Sequence, residues 1–322
     1  MQISDSDQYS LPTKLTTDGK PRKVGIEIEF AGLNLEEAVS IVTSTIGGVP
    51  GDKTAAEQKV DVEALGEFGV EVDWNFLKRL SENEDIPEGL TQALSDSATA
   101  VVPVEIVCPP VEPQQLQELE ELVRELRKAG AKGTEESLFY AFGLHINVEL
   151  PDCDAVTLDR YLKAYVLLQD WLLAKNATDV SRRITPYIDL YPEEYLLRVL
   201  KRKQPGISEI IDDYLEYNAT RNRALDMLPL LSHIDEDRVK DKIDDERIKP
   251  RPTFHYRQPD CRIDDPDWSL AQPWGVWLTV ERLADDSKLL DKLVKSALEE
   301  KSGQPQLLQD TWIKEVDQWL HA

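Results

Sequence analysis

Five side chains of this chain have the types and spacing to hold a divalent cation: Glu27, Glu29, Asp73, Glu105 and His145. Glu27 and Glu29 alternate with Val24, Ile26, Ile28 and Phe30, the period-two pattern of a half-buried strand, so both carboxylates project from one face. At roughly 7 Å apart along such a strand, each raises the proton affinity of the other unless a cation stands between them. Alternation of this kind also describes the solvated face of an ordinary antiparallel strand. What favours a metal is that three later strand-like stretches each bring a further donor: Gly69–Trp74 with Asp73, Val102–Val107 with Glu105, and Gly143–Val148 with His145. Four carboxylates and one imidazole form a hard, oxygen-rich set that suits Mg²⁺ or Mn²⁺ better than Zn²⁺, and Mg²⁺ keeps positions open for water and substrate phosphates.

His145 reads either as a strand histidine bonded to a neighbour or as a ligand facing a site. Gly143 before it is the kind of strand glycine that admits a close approach, and Asn147 adds a polar group on the same face. Arg257 shares a strand face with His255 and Thr253. A guanidinium there pairs bidentately with a phosphate, or makes a surface ion pair in an acidic protein. Arg182, Arg183, Arg221 and Arg223 are weaker candidates for anion contacts, since helix-flanking arginines usually meet nearby carboxylates.

The elements that must position these groups follow from pattern and punctuation. Asn34 with Glu36 and Glu37 starts a helix over 35–46 that Gly47-Gly48 ends. A strand, a turn at Leu65-Gly66 and a second strand run from Lys59 to Asp73, and residues 78–99 read as loop. Val101–Val107 is a strand stopped by Pro109-Pro110. Gln114–Lys128 is an amphipathic helix closed by Gly130, and Phe139–Leu150 is strand-like. Helices are expected over 158–175, 193–203, 209–227, 288–301 and 307–320, with one late strand at Thr253–Arg257. Strands polar on one face and helices covering the other imply an α+β fold with an antiparallel or mixed sheet. Ala31-Gly32-Leu33-Asn34 after the first strand is neither GxGxxG nor a P-loop, which argues against a doubly wound nucleotide fold.

Composition sets limits on partners. The 322 residues include 41% apolar ones, enough for a substantial core, and 37 basic residues stand against 61 acidic for a formal charge of -24. That field repels nucleic acid and anionic membrane, while a nucleotide held through a metal remains compatible with it. Cys108, Cys153 and Cys261 show no CxxC spacing, no apolar run reaches a membrane span, and the start lacks an apolar secretory core, so a cytoplasmic protein is expected.

Taken in order, the stations resemble the amidoligase family of glutamine-synthetase-like carboxylate-amine ligases. The resemblance rests on Gly25-x-Glu27-x-Glu29, on Val70-Glu71-Val72-Asp73, on Glu105-Ile106-Val107-Cys108-Pro109-Pro110 and on Gly143-x-His145-x-x-Val148. It is completed by Thr253-Phe254-His255-Tyr256-Arg257, where the family has Thr-x-Glu-Phe-Arg. It implies a glutamine-synthetase-like catalytic domain over 22–284, after an N-terminal arm of residues 1–21 and before a helical extension over 285–322. It also implies that Glu27, Asp73 and Glu105 hold one metal and that Glu29, His145 and His255 hold a second. Three departures stand out: His255 replaces a carboxylate, Asn147 stands where the family usually has a second His or Val, and Asp226 stands where the family tends to carry Asn. The implied reaction is ATP-dependent amide formation from a carboxylate and an amine through an acyl phosphate, with Mg²⁺ or Mn²⁺. Glu27 and Arg257 would be catalytic, and Arg182, Arg223, Asn147 and Arg257 would contact the nucleotide. Two rivals are a guanidino-kinase-type phosphotransferase and a non-catalytic protein, either a nucleotide-binding pseudo-enzyme or an interaction module acting through its acidic C-terminal helices. Hydrolase readings find no GxSxG elbow, and Cys108 beside two prolines reads as a small buried apolar residue.

Overall fold

The computed structural model describes residues 8–72, 103–134, 142–176, 188–301 and 303–320. Asp73, Arg182 and the 78–99 loop lie outside them. The described chain forms two compact units, one of Lys23–Ile146 with Pro259–Gln272, the other of Met1–Arg22, Asn147–Gln258 and Pro273–Ala322.

In the first unit, strand β1 (Val24–Phe30) buries every odd position of its seven and leaves the intervening Gly25, Glu27 and Glu29 half-buried. Helix α1 (Leu35–Ile46) begins at Asn34, whose Oδ1 accepts the Glu37 N–H at 3.0 Å while the Glu37 carboxylate accepts the Asn34 N–H at 2.9 Å. This reciprocal cap satisfies two amides that the first helical turn leaves without partners. Gly48, at φ 112°, is required where it stands, because a Cβ there would meet the Asp61 carbonyl oxygen at 2.8 Å.

The chain then makes β2 (Val49–Lys53), β3 (Glu57–Val62) and β4 (Gly66–Val72), an antiparallel meander, followed by β5 (Val104–Val107). Helix α2 (Leu116–Ala129) buries Leu116, Leu119, Leu122, Val123 and Leu126 along one stripe and ends at left-handed Gly130. Strand β6 (Leu144–Val148) is buried at all five positions. Across the sheet the order is β2-β3-β4-β5-β1-β6, with β1 and β4 each paired antiparallel to β5. Helix α1 packs on β3, β4 and α2, so the apolar face of the sheet is covered on the side away from the glutamates. This is the α+β arrangement that alternating strands and amphipathic helices demand.

The second unit is mainly helical: α3 (Ala155–Lys175), α4 (Glu193–Lys201), α5 (Ile207–Tyr217), α6 (Leu228–Ile234), α7 (Glu236–Lys240), α8 (Ala271–Asp285), α9 (Ser287–Leu298) and α10 (Trp312–Leu320). Its short strands β7 (Leu225–Asp226) and β8 (His255–Tyr256) pair antiparallel, with Asp226 opposite His255. Buried Tyr191, Tyr195 and Tyr214 meet edge to face at 5.1–6.0 Å between ring centres. Beside them Trp277 packs against Tyr256 and Phe254. Near the chain start Tyr9 and Leu11 are buried, and the Arg22 guanidinium is forked onto Glu281 by two hydrogen bonds of 2.9 Å.

Several elements differ from the sequence expectation: β2, α6 and α7 were not placed by it, and the helix expected over 288–301 ends at Leu298. The helix expected over 209–227 stops at Tyr217, and Leu225-Asp226 forms a strand instead, because Leu225 and Asp226 pair with Tyr256 and His255. The late strand shortens to two residues, with one further bridge between Glu149 and Thr253. Helix α8 was hidden by Pro273 and Gly275 within its first turns; proline is accommodated there because those amides need no helical partner.

Candidate metal centre

β1 and β5 are aligned so that Glu29 lies opposite Glu105, and β5 and β4 so that Glu105 lies opposite Glu71. Glu71 in turn faces Glu57 on β3. Four carboxylates therefore occupy one cross-strand row on one face of the sheet, where directly opposed like charges repel. One step along, Glu27 lies opposite Val107, and Val107 opposite Gly69.

His145 brings the imidazole to this face. Its Nδ1 is 2.7 Å from Glu27 Oε2 and its Nε2 3.5 Å from Glu29 Oε1, and the ring is only 6% exposed. With Glu27 on Nδ1, the ring is held so that Nε2 faces Glu29, the carboxylate–histidine arrangement by which proteins orient a metal-binding imidazole. Glu29 is fixed independently: Gly143 N–H donates to its Oε2 at 2.7 Å, and its own backbone N–H donates to the Gly143 carbonyl at 3.1 Å. Gly143 thus brings its backbone against a carboxylate.

Glu29, Glu105 and His145 each present one donor atom, and the three donors lie within 4.8 Å of one another. Two carboxylate oxygens and one imidazole nitrogen, partly buried, fit a hard divalent ion. The family resemblance implies two metals, one on Glu27, Asp73 and Glu105 and one on Glu29, His145 and His255; Asp73 lies outside the described residues, and the close group of this sheet is Glu29, Glu105 and His145, with Glu27 against the ring. Crowding also acts on Glu71, whose carboxyl is held above the usual range by burial first and then by the charges of Glu57 and Glu27. Glu71 was not among the candidates. Its register with Glu105 is set only by pairing. Burial and then the Glu27 charge push the Cys108 thiol far up, so this cysteine is an inert part of the core.

The remaining candidates lie in the second unit. The Asn147 amide oxygen accepts from Arg251 at 2.8 Å. Buried His255 has its Nδ1 3.7 Å from the Asp226 carboxylate. Arg223 donates to the backbone carbonyls of Leu190 and Tyr217 at 2.6 and 2.9 Å. Arg257 donates to the Arg221 carbonyl.

An antiparallel sheet carrying a cluster of carboxylates and one oriented imidazole defines an α+β protein with a metal-competent face. A family model described as "Putative amidoligase enzyme" matches residues 20–279, four fifths of the chain, and the chain belongs to that family of ligases. The family takes carboxylate and amine substrates. Comparison with curated proteins and with solved structures found no match. Among the described residues no helix is long and apolar enough to cross a membrane.

Proposed function

We propose that this protein is an ATP-dependent, divalent-metal-dependent ligase that joins a carboxylate to an amine through an acyl phosphate. The observation that carries the reading is the convergence of Glu29, Glu105 and Glu27-oriented His145 on one face, with three donor atoms within 4.8 Å. Glu29, Glu105 and His145 would hold the cation, and Glu27 would keep His145 Nε2 directed toward it. The bound ion would supply positive charge to triphosphate oxygens in a region the protein itself makes negative.

In the reaction a substrate carboxylate oxygen attacks the γ-phosphorus of ATP, the bond to the β-phosphate oxygen breaks, and ADP leaves. The amine then attacks the acyl carbon, the C–O bond to phosphate breaks, and the ammonium proton passes to solvent or a nearby carboxylate. Such chemistry asks of side chains mainly placement and charge, which accords with the lack of a serine or cysteine nucleophile motif. The family pattern assigns neutralisation of the moving phosphoryl group to Arg257 and nucleotide contacts to Arg182, Arg223 and Asn147.

The test is ADP and inorganic phosphate release by the full chain with ATP, Mg²⁺ or Mn²⁺ and pooled carboxylates and amines. Expected are release that requires both substrates, an amide product in equal amount, and loss of turnover in Glu105→Gln. A phosphorylated acceptor without free phosphate would replace the ligase with a phosphotransferase. Failure of the wild-type chain to bind Mn²⁺ at millimolar concentration would overturn the metal.

A further inference from the structure

Arg127, near the end of α2, directs its guanidinium at backbone. Its Nε donates to the Ile263 carbonyl at 2.6 Å, and its terminal nitrogens donate to the Trp268 carbonyl at 2.7 Å and the Pro266 carbonyl at 3.4 Å. Its neighbours on the helix behave differently, since Arg124 and Lys128 pair with Glu121 and Glu125. A planar fork of donors at fixed angles is what lets one side chain hold three carbonyls of the 263–268 segment at once.

The segment held in this way continues back to residues 259–261, which run beside residues 142–144. Cys261 N–H donates to the Phe142 carbonyl at 3.0 Å, Leu144 N–H donates to the Pro259 carbonyl at 3.0 Å, and Gly143 bridges antiparallel to Asp260. The chain just after α2 closes over both. Thr134 N–H donates to the Cys261 carbonyl at 3.0 Å, the Thr134 hydroxyl to the Phe142 carbonyl at 2.8 Å, and Gly133 N–H to Asp264 Oδ1 at 3.0 Å. Successive backbone groups of an extended chain point to opposite edges, so Phe142 and Leu144 face this strap while Gly143 faces β1. There Gly143 N–H donates to Glu29 Oε2 at 2.7 Å, and its carbonyl accepts the Glu29 N–H at 3.1 Å. All of these residues belong to the first unit.

We propose that Arg127 is a positioning residue for Glu29. By pinning residues 263–268 it steadies the strap at 259–261, which fixes the Gly143 backbone and so places the Glu29 carboxylate, whose Oε1 lies 3.5 Å from His145 Nε2. The consequence for a cation rests on the metal reading given above; the hold on Gly143 does not.

The experiment compares the full chain with Arg127→Met, Thr134→Val and, as control, Arg124→Gln, an exposed position on the same helix. Hydrogen exchange at the Gly143 and Leu144 amides is followed by NMR on metal-free protein in EDTA, and Mn²⁺ binding by paramagnetic resonance titration. In Arg127→Met, exchange at both amides should rise about tenfold beyond what any change in global stability accounts for, through local opening of the strap. Mn²⁺ affinity should fall about tenfold, the lower end of the cost of losing a group that orients a metal donor. Arg124→Gln should match the parent in both. An arginine serving stability alone would lower the unfolding midpoint while leaving the folded protein's Mn²⁺ affinity unchanged and these amides in step with global unfolding, and that result overturns the proposal. If Arg127→Met does not fold, Thr134→Val, which removes the hydroxyl bond to Phe142, must still speed exchange at both amides, and parent-like exchange overturns the proposal. A parent that binds no Mn²⁺ refutes the metal centre, and the exchange result then decides by itself whether Arg127 holds Gly143 against Glu29.

Discussion

Replacing Glu71 by Gln should stabilise the protein at neutral pH, although a half-buried side chain of the glutamate row is being altered. Glu71 faces Glu57 on one side and Glu105 on the other. Each directly opposed like-charged pair costs about 0.2–1 kcal/mol, so removing one charge from the middle relieves about 0.4–2 kcal/mol. On a chain of this size that amounts to a rise of roughly 1–8 °C in the unfolding midpoint. The pH dependence has a definite sign. The folded-state pKa of Glu71 lies above its ordinary value, chiefly through burial. The folded state therefore binds the Glu71 proton more tightly, and this group's contribution to stability is present below the unfolded pKa and lost as pH rises through the folded one. The advantage of Gln should accordingly be greatest near pH 7 and shrink on acidification through the carboxylate range. Thermal unfolding of both proteins between pH 4 and pH 8 measures it. A Gln variant that is less stable at pH 7, or whose advantage does not change with pH, would refute the crowded-row explanation.

Three further outcomes follow from the same geometry. Glu27→Gln should weaken Mn²⁺ binding by about 10–100-fold in paramagnetic resonance titration while leaving the fold intact, because it loosens the His145 ring rather than removing a donor. Glu281→Gln should cost about 3–5 kcal/mol in urea unfolding, since it leaves Arg22 buried without its counter-ion and disturbs the bonds from Tyr161 and Trp277 at 2.6 and 3.1 Å. The paired change Arg22→Met with Glu281→Leu should recover much of that loss, and failure to do so would shift the explanation to packing. Asp245 has its pKa drawn down to about 2, first by the Arg247 hydrogen bond, so its stabilising contribution is complete above pH 4 and lost as pH falls toward 2. Asp245→Asn should flatten the acid limb of the stability profile over that interval.

Several features were legible in the residues themselves. The alternation in Val24–Phe30, the Asn34 cap with Glu37 three residues on, the leucine stripe of 116–126 and the stop at Pro109-Pro110 all act through local geometry, and each reappears where the sequence placed it. The order of the short motifs was also readable, and it led to the amidoligase family. Other elements were not. Leu225-Asp226 reads as helix by pattern and becomes strand because pairing with Tyr256 and His255 outweighs local preference.

What the sequence determined by itself is which residues face which side of each element, because periods of 2 and 3.6 are properties of the backbone. It therefore put Glu27 and Glu29 on one strand face, and His145 with Asn147 on another. Which donors meet was decided only in three dimensions. The register that sets Glu29 against Glu105 and Glu105 against Glu71 joins segments 76 and 34 positions apart, and the Glu27–His145 bond joins residues 118 apart. Such encounters depend on how strands pair across the chain, and no local rule encodes that.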